Sequence, residues 1–190
     1  LFWGAGATLQ FIVIDWAARA LGFDLSQASY LQGVVAAGIA VGAVLAARFI
    51  SLRKSVTVLP IGVAMGLIVI SMIFVTELPL AVVLMVAIGA CAGFFVVPMN
   101  ALLQHRGHVL MGAGHSIAVQ NFNENIGILV MVGLYALMVR SGISVHIAIG
   151  MFGLFVSSTM LLVMLRFRLN QRDSDSLHLI GMEKHGPGGH

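Results

Sequence analysis

Long uncharged apolar runs restrict what this chain can fold into. Residues 25–47, 55–76, 78–105 and 141–165 contain no Asp, Glu, Lys or Arg. Hydrophobic residues make up 59% of the chain and charged residues only 9%, and the mean hydropathy is +1.03. Each run is long enough to cross ~30 Å of hydrocarbon as an α-helix. This composition excludes a soluble domain, and we expect an all-α polytopic membrane protein.

The apolar runs and the turn residues between them predict about six transmembrane helices. The connections are short, so neighbouring helices must be antiparallel. We expect a six-helix transmembrane domain over residues 1–169 and a disordered cytoplasmic tail over residues 170–190, which is too polar to fold by itself. The predicted helices cover residues 1–21, 30–50, 56–75, 80–103, 115–139 and 146–167.

The basic residues predict the orientation of the bundle. If residue 1 faces the cytoplasm, eight of the ten Lys and Arg residues lie on the cytoplasmic side, where such residues are enriched. The sequence pI is about 9.6. Because the basic residues flank apolar runs, we interpret them as residues that orient the helices in the membrane and not as a nucleic-acid-binding surface. An even number of helices suits either a small complete membrane protein or half of a larger transporter. Because the sequence begins at Leu1 and not at Met, we expect the half.

A polar cluster interrupts the fifth predicted helix. Carboxylate and amide groups are costly in hydrocarbon, so they must face a partner, a cavity or a substrate. On an ideal helix Ser116, Gln120 and Glu124 lie on one face, and the cluster covers roughly half the circumference. This arrangement favours the wall of a transport cavity, and the alternative is interhelical hydrogen bonding. The candidate substrate-binding residues are Gln120, Asn121, Asn123, Glu124 and Asn125.

Polar residues on two other predicted helices have local interpretations. Asn100 follows Pro98 and is either a polar lining near the cytoplasmic mouth or part of a helix end among the lipid headgroups, the interpretation we favour for Gln104. Asp15 and Arg19 have the spacing of a local ion pair.

Small residues recur at helical spacing and predict close helix packing. They include Gly38, Gly42 and Ala46, Gly62 and Gly66, and Gly89 and Gly93.

The sequence offers little support for metal binding or catalysis. His115 and His146 have no Cys or carboxylate beside them at metal-ligand spacing. Cys91 is the single cysteine of the sequence, so neither a disulfide framework nor a thiolate metal site is expected. The sequence around Ser116 reads GHS and not GxSxG, the nucleophile pattern of many hydrolases. We therefore expect no enzyme activity, no cofactor and no metal.

Three segments resemble the bacterial lysophospholipid transporter family of the major facilitator superfamily. They are LFWGAGATLQF at the start, GFFVVPMNALLQHRG over 93–107 and MGAGHSIAVQNFNEN over 111–125. The resemblance extends from residue 1 to about residue 166. It implies that the chain is the C-terminal six-helix half of a twelve-helix transporter, and that a missing N-terminal six-helix half completes the cavity.

The resemblance also implies a function and roles for individual residues. Such transporters move lysophospholipids, chiefly lysophosphatidylethanolamine, from the outer to the inner leaflet of the bacterial inner membrane, where a partner acyltransferase re-esterifies them. Gln120, Asn121 and Asn125 can donate hydrogen bonds to phosphate or glycerol oxygens, and Glu124 can accept one from an ethanolamine ammonium. Gln10 stands where the family often has an arginine, and it is the last candidate substrate-binding residue.

Two rival functions remain open at this point. One is export of drugs or other small solutes by a major facilitator protein. The other is a non-transport membrane scaffold or enzyme subunit. If lysolipid competes with the transported substrate, the protein is a lysophospholipid transporter and not an exporter of other solutes. The width of the cavity distinguishes a transporter from a scaffold or enzyme subunit.

Overall fold

The structure is entirely helical in its regular elements. The computed structural model describes residues 2–173, except for the side chains of residues 2, 53, 108–111, 113 and 171–173. Short 3₁₀ segments, Leu52–Val58 and Met72–Phe74, flank the third helix. The six α-helices are α1 (Phe2–Ala20), α2 (Leu25–Phe49), α3 (Leu59–Ser71), α4 (Leu78–Met111), α5 (Ala113–Arg140) and α6 (Val145–Asp173). The all-α prediction is therefore confirmed for the described residues.

Five helical segments are long and apolar enough to cross a membrane, which makes the chain a multi-pass membrane protein. The helix α1 is not one of them, because Gln10, Asp15 and Arg19 lower its hydropathy. Of the six predicted transmembrane helices, five correspond to segments with the length and composition of a membrane span. These five segments are Leu25–Phe49, Lys54–Phe74, Leu78–Gly107, Gly114–Arg140 and Val145–Asn170.

Local capping signals explain where two helices begin. Asp24 caps α2, because its Oδ1 accepts a hydrogen bond from the Gln27 backbone N–H at 2.8 Å. In return the Asp24 backbone N–H donates to Gln27 Oε1 at 3.1 Å, which completes a capping box. A single residue, Gly112, separates α4 from α5, and its φ of 81° favours glycine. Both helices therefore extend into residues 104–114, the stretch between their predicted ranges.

The last helix continues beyond its predicted end. The sixth predicted helix ends at residue 167, whereas α6 runs to Asp173. The remainder of the predicted tail, residues 174–190, lies outside the described residues. The expected disorder of that tail stays a prediction.

Close helix packing depends on glycine at three helix pairs, α1 with α5, α2 with α4 and α3 with α6. A Cβ added to Gly4 would meet the Gly127 carbonyl oxygen, and one added to Gly42 would meet that of Ala90. A Cβ on Gly66 would overlap Ser157 Oγ of α6. These backbones approach as closely as small residues allow in membrane bundles. The predicted packing role is therefore confirmed for Gly42 and Gly66.

The contacts also give the relative direction of the paired helices. Gly4 lies beside Gly127 and Asp15 beside Tyr135, so α1 and α5 run parallel. The pair α2 and α4 is parallel as well, because Gly38 meets Val86 and Gly42 meets Ala90. In contrast, α3 and α6 are antiparallel. Gly62 lies beside Met160, and Gly66 lies beside Gly153. The later residue of α3 therefore lies beside the earlier residue of α6.

The core of the bundle is apolar and involves all six helices. Its largest fully buried side chain is Trp16 of α1, which is 1% exposed. Ala28, Met85 and Ile149 from α2, α4 and α6 belong to the same cluster. Many large apolar side chains lie on the outer surface instead, among them Leu129, which is 74% exposed. An outer surface of this kind suits contact with lipid or with another membrane domain.

Candidate functional site

The polar cluster of α5 is organised around one side-chain hydrogen bond. Gln120 Nε2 donates to Glu124 Oε1 at 2.7 Å, and both residues are half-buried. The two residues are one helical turn apart, so their side chains can meet without any other helix. The bond holds the carboxylate beside an amide group. This pair therefore offers both hydrogen-bond donors and an anionic acceptor on one face of α5.

The three asparagines of the cluster are exposed. Asn125 Nδ2 donates to the backbone carbonyl oxygen of Asn121 at 2.9 Å, within the same helix. Asn123 lies between them in sequence and is also exposed. Since this surface of α5 is open in the described residues, the asparagines can contact a molecule or a domain that approaches from outside the bundle. Whether any of them binds substrate stays a prediction.

A second feature is a cavity of about 300 Å³ among the helices, which opens to the surface beside exposed residues such as Trp3 and Ile39. We call it the central cavity. Gln10 of α1 and Gln32 of α2 belong to its lining, and Gln32 Nε2 donates to the Gln10 backbone carbonyl oxygen at 2.8 Å. The rest of the lining is almost entirely apolar. All six helices contribute, through residues such as Trp3, Ile39, Val69, Val96, Ile128 and Phe152.

The predicted site residues fall into two separate places. Gln10 lies at the central cavity, whereas α5 contributes Ile128 to its lining and none of the five polar cluster residues. Asn100 is half-buried on α4 and is not among the lining residues. Gln32 is a lining residue that the sequence did not single out. The sequence gives little reason to place Gln32 at a cavity, because a single glutamine near the start of an apolar helix can also lie among the lipid headgroups.

Asp15, Arg19 and Tyr135 form a further polar group at the contact between α1 and α5. Arg19 Nε and Asp15 Oδ1 are 2.8 Å apart, which confirms the predicted ion pair one turn along α1. Tyr135 Oη of α5 donates to the other carboxylate oxygen of Asp15 at 3.4 Å. The Arg19 side chain is 56% exposed. Asp15 therefore receives hydrogen bonds from two helices, although the exposed ion pair itself contributes little to stability.

Metal-ligating side chains are dispersed in the described part of the chain. Over residues 2–173, no group of three or more His, Cys, Asp and Glu residues is arranged to hold a metal ion. Cys91 is half-buried in α4 as a free thiol. The arrangements that remain for function are the amide and carboxylate pair on α5 and the central cavity.

Comparison with known proteins gives a consistent match. The chain is 48% identical over 151 residues to the lysophospholipid transporter LplT of Yersinia pestis (strain Pestoides F). It is equally similar to the LplT of Yersinia pseudotuberculosis serotype O:3 (strain YPIII). The chain is related by sequence to the lysophospholipid transporters. The expected resemblance to lysophospholipid transporters is therefore confirmed, whereas the major facilitator superfamily and the C-terminal position of the chain stay predictions.

The match has a defined extent. It covers 79% of this chain and 37% of each relative, so the chain aligns with little more than a third of the lysophospholipid transporters it matches. No protein-family profile matches the chain. No solved structure matches it either.

Proposed function

We propose that this chain forms the C-terminal six-helix half of a lysophospholipid transporter of the major facilitator superfamily. The whole protein would move lysophospholipids, chiefly lysophosphatidylethanolamine, from the outer to the inner leaflet of the bacterial inner membrane. A partner acyltransferase would consume the product there. The observation that carries the proposal is the 48% identity over 151 residues to lysophospholipid transporters.

The proposal requires α1 to cross the membrane, although α1 is not among the five segments that are long and apolar enough to do so. Thr8, Asp15 and Arg19 of α1 have hydrogen-bond partners for their side chains, which supports this requirement. The buried Thr8 hydroxyl donates to the Gly4 carbonyl oxygen at 2.8 Å. The Asp15 carboxylate accepts hydrogen bonds from Arg19 and Tyr135. Hydrogen-bonded polar groups cost less in a membrane than unpaired ones, so these bonds favour α1 as the sixth transmembrane helix.

The polar cluster of α5 has the chemistry that a lysolipid headgroup needs. The headgroup of lysophosphatidylethanolamine carries a phosphate and an ammonium, so it requires hydrogen-bond donors and an anionic acceptor within a short distance. Glu124 supplies the carboxylate and Gln120 the amide, joined at 2.7 Å. The exposed Asn121 and Asn125 extend the set of amide groups along the helix. In the proposed transporter this face of α5 meets the N-terminal half, and the two halves rock around the bound headgroup.

Uptake by spheroplasts tests this proposal against its closest rival. Spheroplasts that produce the full-length gene product should take up labelled lysophosphatidylethanolamine faster than spheroplasts that lack it. Excess unlabelled lysophosphatidylethanolamine should abolish the difference, and amphipathic drugs should leave it unchanged. A protein that extrudes drugs and ignores lysolipid would instead be an exporter. A protein that moves neither would be a scaffold or an enzyme subunit.

A further inference from the structure

At one end of the bundle, every charged side chain that the structure describes is basic. The end of α2, the start of α3 and the last turns of α6 meet there, because Ile50, Val58 and Met164 pack together in one apolar cluster. The helix α4 runs parallel to α2 and continues past it, so α4 ends on the same side. We call this side the basic end. Its exposed bases are Arg48, Lys54, Arg106, Arg166 and Arg168.

The described carboxylates lie elsewhere in the bundle. Asp24 precedes α2 and Glu77 precedes α4, and since these two helices are parallel, both residues lie at the opposite end. Asp15 lies near that end as well and is paired with Arg19. Glu124 lies within the span of α5. Among the described side chains, the bases of the basic end therefore have no carboxylate partner, and their positive potentials add.

The last turns of α6 combine two of these bases with an exposed apolar surface. Leu162, Leu165 and Leu169 are between 45% and 66% exposed. They lie on one face of α6, because residues three and four apart are neighbours on a helix. On the same helical geometry Arg166 and Arg168 flank this face, one on each side. Such a surface suits a phospholipid, whose acyl chains lie along apolar side chains and whose phosphate lies beside the cations.

We infer that the basic end binds intact anionic phospholipids of the surrounding membrane, chiefly where α6 ends. A zwitterionic phospholipid offers the same acyl chains without the net negative charge, so the cluster of bases distinguishes lipids by headgroup charge. A soluble anion would use the arginines and gain nothing from the exposed leucines. The predicted orientation places this end at the cytoplasmic leaflet. The inference concerns two-chain lipids and does not depend on lysophospholipid transport.

Native mass spectrometry of the full-length gene product tests the headgroup preference. The protein in detergent is titrated with dioleoylphosphatidylglycerol or with dioleoylphosphatidylethanolamine, which carry the same acyl chains and differ in net charge. We expect tighter binding of the phosphatidylglycerol. Its deacylated headgroup, glycerophosphoglycerol, should not displace it at equal concentration. Equal affinity for the two lipids, or displacement by the deacylated headgroup, would overturn the inference, and this arm needs no variant.

Arg166→Gln tests the location and has a matched control at the opposite end. Arg140 is also an exposed arginine near the end of a helix, beside the exposed Leu137. It differs in lying at the end that holds Asp24 and Glu77, because α5 runs parallel to α1. Both arginine side chains are exposed, so either variant should fold.

The two variants should bind anionic lipid differently. One basic residue near a membrane surface contributes enough that Arg166→Gln should lower the affinity for phosphatidylglycerol about fivefold. Its affinity for phosphatidylethanolamine should not change, and Arg140→Gln should leave both affinities unchanged. Equal losses in the two variants, or no loss in Arg166→Gln, would contradict the inference. Lysolipid uptake is measured separately, so its absence beside an intact lipid preference would overturn the proposed transport function alone.

Discussion

Gln120 and Glu124 form a side-chain hydrogen bond of 2.7 Å one turn apart on α5, and both are half-buried. In a lipid environment this bond partly compensates the carboxylate for lost hydration. It also fixes the distance between an anionic acceptor and an amide. The pair is the described group best suited to a zwitterionic headgroup, and it gives the first prediction.

Glu124→Gln should weaken recognition of an amine-bearing headgroup selectively. The change keeps the size and hydrogen bonding of the side chain and removes its charge. Loss of a charge-assisted hydrogen bond costs ~1.5–3 kcal/mol, or roughly ten- to a hundredfold in affinity. Uptake of lysophosphatidylethanolamine should fall by that factor, and uptake of lysophosphatidylglycerol should change little. Equal loss for both lipids would contradict an ammonium-binding role, and no loss for either would make Glu124 a packing residue.

Gly42→Ala should destabilise the bundle although alanine favours helix formation. A methyl group there would meet the carbonyl of Ala90, so α2 and α4 would have to separate. We expect a loss of about 1–3 kcal/mol, measured by denaturation of the purified chain in detergent. The control is Gly33→Ala on the same helix, where a Cβ meets nothing within 4 Å. That change should be neutral or stabilising by up to ~1 kcal/mol. Similar melting of the two variants would contradict the packing.

The link between Asp15 and Tyr135 should contribute little to stability. Their hydrogen bond is long, at 3.4 Å, and Arg19 competes for the same carboxylate. A double-mutant cycle of Asp15→Asn and Tyr135→Phe should give a coupling free energy of ~0.5–1.5 kcal/mol. A value near zero would mean that the bond does not form in the membrane. A value above ~3 kcal/mol would mean that the pair is far more shielded from solvent than the structure indicates.

Asp24→Ala should shorten α2 at its start. The variant removes the acceptor of the capping box that Asp24 forms with Gln27. Losing such a cap costs about 0.5–2 kcal/mol. Hydrogen exchange of the backbone N–H groups in residues 25–28 should speed up, while exchange in the middle of α2 should not change. Unchanged exchange at the start of the helix would show that packing alone holds it.

The number and rough position of the helices followed from composition, because a helix that crosses hydrocarbon needs a long apolar run. The boundaries did not follow from hydropathy. Hydropathy predicts that the second helix begins at residue 30, whereas the capping box of Asp24 and Gln27 starts α2 at Leu25. The predicted ranges leave residues 104–114 between the fourth and fifth helices, whereas Gly112 alone separates α4 from α5. Polar residues continue a helix as readily as apolar ones once it leaves the hydrocarbon.

The pairing of helices and the central cavity were not accessible from the sequence. Asp15 and Tyr135 are 120 residues apart, and no periodicity connects them. The cavity is built from residues such as Val69 and Ile128, each of which reads as ordinary packing. The spacing of Gln120 and Glu124 did predict their contact, because both lie on one helix. Their role in substrate binding stays a prediction.

The most direct test of the account is lipid movement by the purified full-length gene product in liposomes. Radiolabelled lysophosphatidylethanolamine is added to the outer leaflet, and albumin then extracts whatever remains accessible. The account predicts that a growing fraction becomes protected from albumin in liposomes with the protein, and that protein-free liposomes retain almost none. Equal extraction from both kinds of liposome would contradict lysophospholipid transport.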